Sequence, residues 1–169
     1  LEGIVKNESD LIRRYRESAQ YADCDQAIEE IVNEAIVTDP DHKTVTVVLD
    51  DLKVSESIKN KIRDEFDVVA KLYKFEERGH DIFRQWYIDG RLNYSIIIDP
   101  ENPKNGILEL RFIDPRKIRR IKNIKKERTP EGVEINKTIE EYYLYSDKGI
   151  TEQTTQGVKL SLDSVIACN

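Results

Sequence analysis

Methionine is missing from this sequence, tryptophan occurs once, and cysteine and histidine occur only twice each. Each scarcity removes a class of function. Cys24 and Cys168 stand near opposite ends, so neither a disulfide-dense secreted scaffold nor a cluster of thiolate metal ligands can be built from them. Reduced, structural thiols of a cytosolic protein are the expectation. No apolar run approaches the roughly 20 residues that span a bilayer, and no signal-peptide pattern is visible. With no Met and a first residue of Leu1, the chain reads as a segment of a longer protein.

Catalytic signatures are equally sparse. The sequence has no phosphate-cradling P-loop, no paired-glycine turn and no serine nucleophile elbow. His80 adjoins Asp81, but neighbouring helical residues point about 100° apart and cannot share a substrate, which leaves His80 a packing or helix-start role. His42 sits in a polar loop with no evident partner. Asp99, Glu109 and Arg111 resemble the acidic hairpin of metal-dependent nucleases. Where those enzymes place a lysine, however, this chain has an arginine, which stays protonated and makes a poor base. No cofactor, metal or catalytic residue is predicted.

Charge is what the sequence has in abundance. Charged residues make up 36% and apolar ones 38%, a balance that predicts a thin core under a large polar surface. The formal net charge is -6, yet residues 104–128 hold ten Lys/Arg against three Asp/Glu. Within that stretch, Arg116, Lys117, Arg119, Arg120 and Lys122, followed by Lys125 and Lys126, form a basic strip. Three readings fit it: a solvated strand pair, a phosphate-binding face, or a dock for the acidic face of an identical neighbour. Phe112 is the only aromatic ring near it, which is too few for stacking on single-stranded nucleic acid. Tyr142, Tyr143 and Tyr145 alternate between faces and read as core and interface.

Periodicity divides the chain into a mainly helical part, 1–90, and a mainly β part, 91–169. A helix is expected over 10–19. A second follows a capping box at Asp23 and Gln26, with Ile28, Ile31, Val32, Ala35 and Ile36 on one stripe; Pro40 bounds it. Alternation over 44–49 predicts a strand. A third helix starts near Ser55 or Ser57 and turns Ile58, Ile62, Phe66, Val69 and Leu72 inward. A fourth covers 78–89 with Ile82, Phe83, Trp86 and Tyr87 inward and Gly90 as its left-handed cap. The period then changes to 2. Leu92, Tyr94, Ile96 and Ile98 pair through a turn at 99–106 with Leu108, Leu110 and Phe112. Asp114-Pro115 predicts an N-cap and one short helical turn. Strands at 121–127 and 138–145 pair across a Gly- and Pro-containing loop, and short strands near 158–162 and 165–167 follow. The fold class expected is α+β, with N-terminal helices packed on a mostly antiparallel sheet or small β-barrel.

Four stretches, in this order and with these gaps, resemble the portal proteins of T4-like tailed bacteriophages: 30–37 (EIVNEAIV), 61–67 (KIRDEFD), 79–91 (GHDIFRQWYIDGR) and 112–119 (FIDPRKIR). The third and fourth are the specific ones; the likeness is loosest from Thr129 onward. The resemblance implies a single wing-like unit, 1–169, within a larger subunit. Such subunits form a dodecameric ring at a capsid vertex, through which DNA is packaged and ejected. It implies as partners other portal subunits and the major capsid protein, with terminase and neck proteins meeting parts outside this segment. The location implied is the virion, after assembly in the bacterial host cytoplasm. ATP hydrolysis falls to the terminase, so a non-enzymatic role is implied here. Arg116, Lys117, Arg119, Arg120 and Lys122 become a subunit or capsid contact surface. The alternative is an α+β module binding nucleic acid through residues 116–126.

Overall fold

The helical half forms where apolar residues recur every three or four positions. In the computed structural model, which describes residues 8–37, 43–128, 134–151 and 156–169, this gives α1 (Glu8–Ser18), α2 (Ala22–Ala35), α3 (Glu56–Tyr73) and α4 (Phe75–Asp89). The first three all pack on α4. Each buries a narrow stripe: Ile12 on α1, Val32 on α2 with Ile36 just beyond it, and half-buried Ile62, Phe66 and Leu72 on α3. None of these helices is long and apolar enough to cross a membrane. Lys74, left-handed at φ 52°, closes α3 and opens α4, while Gly90 at φ 70° ends α4 in the conformation glycine adopts without steric cost.

The strands are β1 (Leu92–Ile98), β2 (Ile107–Ile113), β3 (Ile118–Arg128), β4 (Glu134–Tyr145), β5 (Val158–Leu160) and β6 (Val165–Cys168). They form two three-stranded antiparallel sheets, ordered β2-β1-β6 and β3-β4-β5. The chain passes between the sheets at the 3-10 turns Pro115–Lys117 and Leu162–Ser164. Ile82, Leu92, Tyr94 and Leu110 bury the first sheet against α3 and α4, with Trp86, Tyr73 and Phe112 around them. A second cluster of Ile113, Ile118, Tyr143 and Val165 joins the two sheets. Beyond the Tyr143–Tyr145 pairing with β5, β3 and β4 continue as a two-stranded ribbon to Arg128 and Glu134.

This is the α+β class expected, with helices on antiparallel sheets, but the sheets do not close into a barrel. The two 3-10 turns interrupt the ladder at both crossings, so β2 and β6 remain edges of one sheet and β3 and β5 edges of the other.

Five local expectations are corrected. Residues 44–49 alternate but form no strand, because neither sheet takes them as a neighbour; instead Thr44 donates its N–H (3.3 Å) and hydroxyl (2.8 Å) to Glu76. The capping box at Asp23 is absent, since the cap is Tyr21, two residues earlier, and Gln26 donates to Glu30. Tyr87 faces outward, 45% exposed, as do Ile58 and Val69: three helices pack on the single helix α4, so the apolar stripes are wider than the buried faces. Cys24 and Cys168 are free and exposed rather than packed. Of the loop predicted at 128–137, Arg128 and residues 134–137 are strand instead, and residues 129–133, like His42, lie outside the described residues.

Candidate functional site

The basic strip begins at a corner made by local chemistry. Asp114 accepts from the Arg116 N–H at 2.9 Å, and Pro115 occupies the first position of the short turn, where no N–H is needed. Arg116 folds back and donates its Nη2 to Asp114 at 2.7 Å. From the helical half, Arg16 reaches the same place. Its Nε and Nη2 donate to Asp89 at 2.8 and 2.5 Å, and its Nη1 donates to Asp114 at 3.1 Å. Asp89 is only 2% exposed. One arginine therefore ties α1 to the end of α4 and to the junction of the two sheets.

Burial alone would push the Asp114 carboxyl up. Hydrogen bonds from the Arg116 side chain and N–H, and from Arg16, outweigh it and hold the group well below the usual carboxylate range. The Arg16 guanidinium is raised, by Asp89 first and, against desolvation, by Asp114 as well. A carboxyl depressed in the folded state contributes stability above its unfolded value of about 3.9 and loses it as pH falls further, towards the folded value. The urea midpoint is thus expected to be insensitive to Asp114 from pH 7 to about 5 and to fall below about pH 4, with a shallower acid limb in Asp114→Asn. An equally steep limb in that variant would count against the corner as a source of acid sensitivity.

The five predicted contact residues differ in exposure and in the partners they already hold. Arg116 is engaged with Asp114, and Lys117 is half-buried, with its carbonyl accepting from Ser146 and that of Arg116 from Ile150. On β3 the alternation of a strand separates Arg119 from Arg120 and Lys122. Arg120 pairs with Glu141 at 2.9 Å, while Lys122 is exposed. Opposite the step from Asn123 to Ile124, β4 carries one extra residue in the ladder, and Ile124 is 51% exposed. Arg119, Arg120 and Arg91 line a cleft of 560 Å³ together with Asn93 and Glu8, which pairs with Arg91 at 2.9 Å. The Nε atoms of Arg91 and Arg119 are buried without hydrogen-bond partners among the described residues.

Most of the other residues weighed for chemistry are held by structural contacts. Arg111 donates to both Glu109 oxygens at 3.1 and 3.0 Å, and Asp99 accepts from the Glu101 N–H at 2.9 Å. His80 is half-buried on α4. Tyr143 is core, Tyr142 carries the Lys159 ammonium 4.3 Å from its ring centre, and Tyr145 donates to Asp147 at 2.5 Å. The Arg16–Asp89–Asp114 bridge was not foreseen. It joins residues far apart in sequence, and the only local hint is an Asp at the C-terminal end of a helix, where the dipole disfavours an anion without a cationic partner.

A family model described as "Bacteriophage T4-like portal protein (Gp20)" matches residues 8–169. The portal protein of Vibrio phage KVP40 is 43% identical over 136 residues, covering 80% of this chain and 26% of that protein. The portal protein of Salmonella phage ViI is 32% identical over 137 residues, covering 80% of this chain and 24% of its own length. The chain spans about a quarter of the length of these curated relatives.

Proposed function

Because the chain belongs to the family of T4-like phage portal proteins, we propose that it is a structural, non-catalytic segment of a portal ring at a capsid vertex. On this reading residues 1–169 act as one wing-like unit in each of twelve subunits, the ring passes DNA during packaging and ejection, and it is built in the host cytoplasm before joining the virion. Portal subunits and the major capsid protein are the partners of this segment; terminase and neck proteins engage the remainder of the subunit. The observation that carries the reading is the family match over nearly the whole chain.

The strip from Arg116 to Lys122 is proposed as a protein contact. Two of its guanidinium groups already hold carboxylates, Arg116 with Asp114 and Arg120 with Glu141, and phosphate binding would have to displace them. Acidic protein side chains would meet the same competition, so it is the outward-facing place of this segment on the portal-ring reading that favours them over a nucleic-acid backbone as the strip's counterpart. In the complete protein, the triple variant Arg119→Glu/Arg120→Glu/Lys122→Glu is expected to cut incorporation into assembled particles about tenfold or more, since like charges across an interface are strongly disfavoured. Its salt-titrated DNA affinity should stay unchanged. Normal assembly with lost DNA affinity would turn the assignment over to nucleic-acid binding.

A further inference from the structure

The acidic counterpart of the strip is present on the same chain. α2 holds five acidic residues and no basic one, and they fall into two sets. Asp25 and Glu29 face Arg84, which donates to both of them. Asp23, Glu30 and Glu34 recur at i, i+7 and i+11, so they share a stripe on the opposite side; all three are exposed. Beside that stripe runs an apolar groove of 320 Å³ between α1, α2 and α4, lined by Tyr15, Cys24, Ala27, Ile28, Ile31 and Tyr87. Tyr15, Ile31 and Tyr87 are 49%, 38% and 45% exposed. Apolar rings and branched chains grouped in this way are not covered by any described residue.

β3 offers the matching shape and charge. It is an edge strand, and residues 118–128 include six Lys/Arg against one Asp/Glu. It exposes Ile124 two residues on from exposed Lys122, a spacing that puts both on one face of the strand. Acidic stripe beside apolar groove therefore corresponds to basic strand beside apolar knob. The two surfaces sit on different parts of the fold, α2 packing on α4 and β3 pairing with β4.

We infer that β3 of one copy docks on α2 of a second copy, with Ile124 seated in the groove and Lys122 and its basic neighbours facing Asp23, Glu30 and Glu34. The contact uses two different patches, so it is heterologous, the kind that repeats head to tail around a ring. It rests on the ring reading and goes further by naming the strip's partner as this same chain.

Cys24 lies in the groove and is free, which provides a direct test. In the complete protein with Cys168→Ser, adding Lys122→Cys is expected to give a ladder of covalent multimers with a short bis-maleimide, lost again in Cys24→Ser. Separately, Glu30→Lys/Glu34→Lys and Arg120→Glu/Lys122→Glu should each lower ring yield about tenfold, and combining the two pairs should recover most of it. Intact rings with no cross-link, or charge pairs that fail to rescue each other, would overturn the docking. If the strip variant still abolishes particle assembly in that case, the strip meets a different protein and the portal-ring reading survives. If ring formation is absent in the unaltered protein, the reading beneath the inference fails instead.

Discussion

Replacing Arg16 by Leu is expected to destabilise the protein by about 3 kcal/mol, because it leaves Asp89 as an uncompensated buried charge. For a chain of this size that corresponds to a fall in Tm of roughly 6–12 °C. The reason lies in where Asp89 sits. It is the final residue of α4, at the negative end of the helix dipole, and it is 2% exposed. Water cannot reach it, and both its oxygens take their hydrogen bonds from Arg16. Arg16→Lys should be milder, about 1 kcal/mol, since an ammonium keeps the charge but cannot grip Asp89 and Asp114 at once. The double variant Arg16→Leu/Asp89→Leu separates explanations: with no orphaned charge it should recover at least half of the loss. Urea denaturation of the four proteins checks this. A double variant as unstable as Arg16→Leu would show that packing of the arginine stem, rather than charge, is what matters.

The second large effect is expected at Gly157. A Cβ placed there would collide with the Tyr145 carbonyl oxygen and lie 3.0 Å from Leu144 Cδ1. The nearest atom is backbone, so it cannot rotate away, and β5 would have to move off β4 where Val158 pairs with Tyr145. Tyr143 and Leu144, now 9% and 5% exposed, would lose cover. Gly157→Ala should therefore cost about 2–3 kcal/mol, and Gly157→Val little more, because the first carbon creates the conflict. Chemical denaturation gives the magnitude, and amide exchange should show protection lost at β4 and β5 before β1 and β2. An alanine variant within about 0.5 kcal/mol of the parent would mean the strand shifts freely.

Signals that act within a few residues could be read from the sequence. The four helices, Gly90 as a helix stop and the Asp114-Pro115 turn each depend on neighbours along the chain, and each stands within a few residues of where the pattern places it, although Ile58, Val69 and Tyr87 of the predicted stripes face outward. What depends on distant partners was not legible. Residues 44–49 alternate as well as any strand, but alternation cannot supply a neighbour to pair with. Two sheets and one barrel share the same strand pattern; the 3-10 turns at 115–117 and 162–164 decide between them. The basic strip was visible as a count, whereas its division into engaged Arg116 and Arg120 and exposed Lys122 required the pairing of β3 with β4 and the fold of the Asp114 corner. The Arg16 bridge joins two aspartates that no local rule connects.

The pairing of β1 with β6 bears on the order in which the molecule can fold. Tyr94 lies opposite Ile166, and the whole of the second sheet lies between them in sequence. The β1–β2 hairpin can form early from contacts close along the chain, but its third strand must wait until the intervening ladder has been made. During that interval the free edge of β1 and the unfinished cluster around Val165 are open to another chain. Misassembly of nascent copies through that edge is thus a hazard built into the topology, distinct from any contact the finished subunit makes.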